Sequence, residues 1–181
     1  VTLTRLMSGR PPHSARTGIR PATLRDLPAL QTVASEAFRN GRVDRDRRLP
    51  ANRNRELYRR WIANACRGRS DVILVSTVHR RAVGFICCNV DPAAGRTLGT
   101  PLGFIDLLAV APAVQGRGLG RALVRAALAW FSTRVPLVEI RAQLSNGIGL
   151  RLYQQEGFQV MSNGIALPSG QIFHGWLSSP R

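Results

Sequence analysis

Apolar positions recur along this chain at two spacings, and their alternation outlines one mixed α/β unit. A helical period runs through Leu27, Leu30, Val33 and Phe38 and breaks at Asn40-Gly41. A second helical stripe reads Leu57, Trp61 and Ala65 and stops at Arg67-Gly68. Two runs rich in β-branched residues follow, Asp71 to Val78 and Ala82 to Val90, folding back across His79-Arg80-Arg81. Gly84 reads as a bulge or a close backbone approach. Leu102 to Val110 is apolar apart from Asp106 and reads as a buried strand. Leu119, Ala122, Leu123, Ala126 and Trp130 share a helix face. Leu137 to Gln143 alternates, with Val138, Ile140 and Ala142 to one side. A short helix over about 147–155 ends at Gly157, a good C-terminal cap. Strands near 158–161 and 171–177 close the pattern. Residues 1–17, with Ser8, Pro11, Pro12 and Ser14, show no period and read as a flexible leader. The folded domain is expected over 18–181, with no internal repeat and no second core.

Length and charge sharpen this outline. At 181 residues the chain suits one domain. It carries 26 basic and 10 acidic residues, a formal charge of +16, and every basic residue is arginine. The lack of lysine excludes a Walker-type phosphate loop and Schiff-base catalysis, both of which need an ε-amine. Arginine supplies a planar fork for phosphates and carboxylates, so the charge favours anionic partners. Nine arginines against three acids crowd Arg39 to Arg60. Arg47, Arg48 and Arg59 there are candidate contacts for an anionic acceptor, although a charge run is usually a solvated face. Cys66, Cys87 and Cys88 form neither a disulfide framework nor a zinc site. With no export signal and no apolar run near the roughly 20 residues of a membrane span, the expectation is a reduced, cytoplasmic protein without metal.

The segment rich in chemistry is Val110-Ala111-Pro112-Ala113-Val114-Gln115-Gly116-Arg117-Gly118-Leu119-Gly120-Arg121. It joins a buried strand to a helix. Glycines at 116, 118 and 120 let the backbone turn tightly and let an anion approach amides that a helix N-terminus leaves unpaired. The spacing is G-x-G-x-G, not the dinucleotide fingerprint G-x-G-x-x-G. Three glycines also make a plain tight connection. Downstream, Asn146 opens a helix, Tyr153 lies seven residues on, and Gly157-Phe158 closes it; Tyr153 reads as a buried anchor as readily as a chemical group.

Taken together, Val110-x-Pro112-x-x-Gln115-Gly116-Arg117-Gly118-Leu119-Gly120 resembles the pyrophosphate-binding motif of the GCN5-related N-acetyltransferase superfamily. The block Asn146 to Phe158, with Leu152-Tyr153 and Gly157-Phe158, is similar to its fourth helix and following strand. The likeness spans about residues 18 to 177. It implies a single domain with a mostly antiparallel twisted sheet of six to seven strands, splayed at its middle and flanked by about four helices. It also implies acetyl-CoA as cosubstrate, and direct attack of an amine on the thioester. The pantetheine arm would pair with backbone near Leu108 and Val110, and a backbone N–H near Leu108 or Ala109 would donate to the developing oxyanion. The diphosphate would lie on amides from Gln115 to Gly120, flanked by Arg117 and Arg121. Tyr153 would protonate the departing thiolate, its ordinary pKa near 10 being comparable to the thiol's. Asn146 would orient the cofactor or the helix that carries Tyr153. Asp106 is the leading base and His174 a possible relay on the acceptor side; a carboxylate paired with arginine and a structural histidine are the plainer readings. Gly149 and Glu156 depart from the superfamily pattern and would loosen the Tyr153 helix.

A further likeness, over Glu56 to Ile62, Cys66-Arg67-Gly68, Asp71-Val72, Val83 to Ile86 and Phe173 to Leu177, is to enzymes that acetylate dTDP-linked amino sugars, of the dTDP-fucosamine type. It implies a small, anionic amino-sugar acceptor; a monomer or homodimer is expected. Three alternatives stand beside it: a protein or peptide N-acetyltransferase, a catalytically silent acyl-CoA-binding module, and a nucleic-acid-binding module. The last lacks a helix-turn-helix or an aromatic stacking platform.

Overall fold

The computed structural model describes residues 1–7, 18–38, 51–91, 99–166 and 172–175. Eight strands form a sheet in the order β2-β3-β4-β5-β6-β1-β7-β8. They are β1 (Thr2–Leu6), β2 (Ile19–Pro21), β3 (Val72–Val78), β4 (Arg81–Asp91), β5 (Leu102–Val110), β6 (Leu137–Arg141), β7 (Gln159–Ala166) and β8 (Ile172–Gly175). Among the described residues four α-helices flank the sheet: α1 (Leu27–Ala37), α2 (Ala51–Asn64), α3 (Leu119–Phe131) and α4 (Gly147–Gln155). All pairings are antiparallel except β5 with β6. The mixed α/β class and the mostly antiparallel sheet agree with expectation.

The strand count exceeds it because the supposed leader is ordered at its start. Thr2–Leu6 lies between β6 and β7, with Leu3 fully buried and opposite Ile140 and Val160. An alternating pattern only five residues long, followed by Ser8-Gly9-Arg10-Pro11-Pro12, gave too little period to recognise. Residues 8–17 lie outside the described set.

Each sheet face carries its own core. On one face α3 and α4 cover Leu74, Ile86, Cys88 and Ile105 with Leu123, Val124, Leu128, Phe131 and Tyr153. On the other, α1 and α2 cover Ile73, Val75, Phe85, Cys87 and Leu107 with Leu30, Val33, Tyr58 and Ile62. The buried stripe of α2 is therefore Tyr58-Ile62-Ala65. Leu57 and Trp61, one position earlier on the helix, are 44% and 42% exposed. The adjacent stripe won because Tyr58 stacks on Phe38 of the α1 end, ring centroids 4.3 Å apart.

Gly84 does permit a close approach. A Cβ there would stand 2.7 Å from Ser76 Oγ and 3.0 Å from the Ala109 carbonyl, next to an irregularity in the β3–β4 register. At the sheet edge, Arg20 holds Asp26 through two bonds of 2.7 and 2.8 Å, and the Thr23 amide donates to the same carboxylate. This pairing pins β2 to the start of α1 and keeps the Asp26 carboxyl well below its usual range, chiefly through the Arg20 bond.

Candidate active site

Two strand irregularities create the site. β5 pairs with β6 only from Leu102↔Leu137 to Ile105↔Ile140, then leaves it. At the same point the β4–β5 register skips from Cys87↔Leu107 to Cys88↔Ile105, so Asp106 is the extra residue of a β-bulge. The bulge reverses which residues face which core: Ile105 faces α3, Leu107 faces α1, and Leu108 faces α3 again.

Beyond the bulge, β5 presents an open edge. The Ala111 amide donates to Val83 of β4 at 2.8 Å. Strand alternation then turns the Leu107 and Ala109 peptide groups toward β4 and those of Leu108 and Val110 toward the gap left by β6. The Val110 carbonyl is taken by Gln115 Nε2 at 2.9 Å. Among the described residues no strand pairs with the Leu108 amide and carbonyl. Of the residues expected to line this edge, Leu108 and Val110 do so and Ala109 does not.

The edge runs into the glycine turn. Gly116 and Gly118 both adopt φ of +76°, a region costly for any residue with a Cβ. Gly120, inside the first turn of α3, has no such need; a Cβ there meets Leu152 at 3.5 Å and Val110 at 3.9 Å, ordinary contacts. The helical ladder begins with the Ala122 amide donating to Gly118 at 3.0 Å. Among the described residues, no backbone acceptor takes the amides of Gly116, Gly118, Leu119, Gly120 or Arg121. Those donors and the positive end of the α3 dipole form a socket suited to a diphosphate.

Arg121 does not flank this socket. Its guanidinium bonds Gln155 Oε1 and lies 3.2 Å from the buried Glu156 carboxylate, whose other oxygen accepts from Arg125 Nε at 2.9 Å. Arg5 of β1 donates to the Glu156 carbonyl. Glu156, expected to loosen α4, therefore ties its end to α3 and β1. Gly149 has a comparable reason. Asn146 Oδ1 caps α4 by accepting from the Gly149 amide at 2.9 Å, and a Cβ at 149 would fall 2.4 Å from Asn146 Nδ2.

Tyr153 projects from α4 into the core that holds Leu108 and Val110, and only 6% of it is exposed. Its ring meets Phe158 edge to face, centroids 6.0 Å apart. The hydroxyl has no hydrogen-bonding partner among the described residues, and burial pushes its pKa up to about 12. On the opposite face, Asp106 accepts from Asn89 Nδ2 at 3.1 Å. Burial pushes the Asp106 carboxyl up, while the Asn89 bond and the charges of Arg141 and Arg69 pull it down. Asn89 was not singled out in the sequence; an asparagine near the end of an otherwise apolar strand was the available signal. Arg59 is exposed on α2. Arg47 and Arg48 lie outside the described residues, and His174 lies on β8 with its side chain outside them.

A splayed parallel pair, a glycine socket and a buried tyrosine on one edge match a known family model. The Acetyltransferase (GNAT) family model aligns with residues 30–158, well over half the chain. The chain belongs to the GNAT acetyltransferase family. Among solved GNAT structures, the chain superposes on a GCN5-related N-acetyltransferase from Ralstonia eutropha with a TM-score of 0.65. That match has 24% identity and covers 84% of this chain and 98% of the other. It also superposes on the PaiA N-acetyltransferase of Thermoplasma acidophilum, solved in complex with coenzyme A, with a TM-score of 0.62. There the identity is 17%, over 86% of this chain and 95% of the other. A curated relative, the mycothiol acetyltransferase of Acidothermus cellulolyticus, is 36% identical over 76 residues, 41% of this chain and 23% of the relative. The chain spans about a quarter of the length of the curated relatives it matches. Within the GNAT family these relatives are mycothiol acetyltransferases; they lend no support to the dTDP-fucosamine likeness. No helix among the described residues is long and apolar enough to cross a membrane.

Proposed function

We propose that this protein transfers an acetyl group from acetyl-CoA to the primary amine of a small molecule. The observation that carries the reading is the continuity of one surface. The open β5 edge at Leu108 runs from the gap between β5 and β6 into the amides of Gly116, Gly118, Leu119 and Gly120, and Tyr153, whose hydroxyl has no hydrogen-bonding partner among the described residues, sits in the core against which Leu108 and Val110 pack. Acetyl-CoA fits that surface by its chemistry: a diphosphate for the amide socket, amide groups along pantetheine for a free strand edge, and a sulfur that needs a proton. When bound it supplies an activated thioester.

The chain's own residues then have distinct tasks. Amides of Gly116, Gly118, Leu119 and Gly120 hold the diphosphate, with Arg117 beside them; the Gln115 amide, expected to join them, donates instead to the Pro112 carbonyl at 3.3 Å. The Leu108 amide, aimed into the gap, donates to the acetyl oxygen as negative charge develops there; such a fixed donor is worth roughly 3–4 kcal/mol. Asp106 accepts the proton that the acceptor ammonium must lose before its nitrogen can attack. The Tyr153 hydroxyl donates to the sulfur as the carbon–sulfur bond breaks. Asn146 holds Tyr153 in place by capping its helix, and an anionic group on the acceptor would meet the arginines of the 39–60 stretch. The mycothiol acetyltransferase relatives favour a small-molecule acceptor over a peptide, and the acceptor is proposed no more finely than that.

Gly118→Val tests the socket. Valine is strained at a φ of +76° and its side chain would crowd the amides. Acetyl-CoA should raise the melting temperature of the natural protein and fail to do so for the variant. A panel of primary amines, amino sugars included, followed by free-thiol detection, should give turnover only with the natural protein. Unchanged acetyl-CoA stabilisation of the variant would overturn the assignment of the socket.

A further inference from the structure

The face opposite Tyr153 holds a chain of bonds that leads to Asp106. The Val90 amide donates to Asp71 Oδ2 at 2.7 Å, the Asp71 amide donates to Asn89 Oδ1 at 3.0 Å, and Asn89 Nδ2 donates to Asp106 Oδ2 at 3.1 Å. These bonds fix the amide's orientation, because only an oxygen can accept from the Asp71 backbone and only the nitrogen can donate to a carboxylate. Asn89 is 8% exposed. Asp106 stands at the bulge, where β5 parts from β6, and is open to solvent. Its Oδ1 takes no hydrogen bond from the described residues. A side chain on a bulge lacks the lateral neighbours of a regular ladder, so its direction needs another restraint.

We propose that Asn89 is a positioning residue for acceptor deprotonation: it holds Asp106 by Oδ2 and so presents Oδ1 to the incoming ammonium at the mouth of the β5–β6 gap. The proposal rests on the reading of Asp106 as the base. Proton balance is simple: the ammonium loses one proton, Asp106 gains it, and solvent takes it from the carboxyl afterward. The charged and titratable groups around Asp106 are Arg69 from the turn before β3, Arg141 from β6, Asp71, and the thiols Cys87 and Cys88 of β4. Glu139 is paired with Arg141 at 2.7 Å and moderates its pull. Because Asn89 stabilises the charged carboxylate, its removal shifts Asp106 titration to higher pH.

The test uses Asn89→Leu, Asn89→Asp and Asp106→Asn in the full chain. Carbon-13 carboxyl NMR follows Asp106, assigned by the signal missing in Asp106→Asn. Thiol release is measured against pH with the best amine of the panel above. Asn89→Leu should raise the Asp106 midpoint and carry the acid limb of kcat/KM for the amine with it, lowering kcat/KM about tenfold at neutral pH. The KM for acetyl-CoA should not change. Asn89→Asp preserves shape and the Asp71 bond but opposes one carboxylate to another, so it should shift the midpoint further; it decides the question if the leucine variant does not fold. An unchanged midpoint and limb in a folded Asn89 variant, with Asp106→Asn inactive, would overturn this role alone. Full activity of Asp106→Asn, or no amine acetylated by the natural protein, would remove the base or the proposed function and this role with it.

Discussion

Tyr153→Phe separates the hydroxyl of the proposed acid from the ring that carries it. The ring packs against Phe158 inside the α3-side core, and phenylalanine fills the same volume without a cavity. The hydroxyl makes no hydrogen bond to the described residues, so its removal breaks none, and stability at neutral pH should change by about 0.5 kcal/mol or less. Turnover should behave differently. A positioned general acid contributes about 10²–10⁴, or roughly 3–5 kcal/mol of barrier.

Burial refines the chemistry expected from sequence. With a pKa of about 12, the phenol is a weaker acid than an ordinary thiol near 8.5. That gap of about 3.5 units makes proton transfer roughly 5 kcal/mol uphill if the thiolate is solvated as in water. The match is restored when the sulfur is held in the same apolar cleft, since burial penalises any thiolate there, as it does the Cys88 thiol of the same core. Two consequences can be measured. Tyr153 remains protonated through the assay range, so an alkaline limb of kcat below about pH 11 does not arise from it. Its folded pKa lies above the ordinary 10, so folding stability is intact below pH 10 and falls as pH rises toward 12, by roughly 3 kcal/mol. The phenylalanine variant escapes that loss. Thiol-release kinetics from pH 7 to 10.5, with urea unfolding at pH 9 and 11.5, decide the matter. Turnover within threefold of the natural protein, or an alkaline limb near pH 9 that the variant lacks, would refute the argument.

Asp26→Asn should lower stability by about 2 kcal/mol at pH 7, because charged hydrogen bonds from Arg20 are lost. The folded carboxyl titrates below its unfolded value, so the advantage of the natural protein is full above about pH 5 and fades as pH drops below 4; a constant gap in urea midpoints down to pH 2 would contradict this. At the β3–β4 hairpin, His79 and Arg80 occupy left-handed conformations with φ of 47° and 65°. His79→Asn with Arg80→Gly suits such a turn and should add about 1–2 kcal/mol, read as a higher urea midpoint with unchanged kinetics.

How much of this was legible in the sequence depended on whether local pattern or distant pairing governed each part. Gly116, Gly118 and the Gly157 cap announce themselves because their backbone angles are a local demand. The open edge at Leu108 followed from the family likeness, and the alternation set by Ala111 and Val83 then separated Leu108 from Ala109. The bulge at Asp106 left no trace beyond that one charge: the rest of Leu102 to Val110 is apolar on both faces, so a change of face produces no break in the pattern. Arg121 beside the glycines suggested a phosphate contact, but its partner Glu156 lies 35 residues away, and only the packing of α4 on α3 brings them together. Leu57 and Trp61 form as good a helical stripe as Tyr58 and Ile62; the choice fell to Phe38, on another helix.

The placement of the first strand governs how the molecule can be assembled. Thr2 to Leu6 bridges β6 and β7, pairing with residues 137–141 and 159–162. During synthesis these residues must wait for about 130 more before they meet a partner, and closing so long a loop is slow. Until then the β2-to-β5 half can fold, while β7 has no edge to join. Deleting these few residues would leave β6 and β7 facing each other across an empty strand width, able to divide the sheet in two.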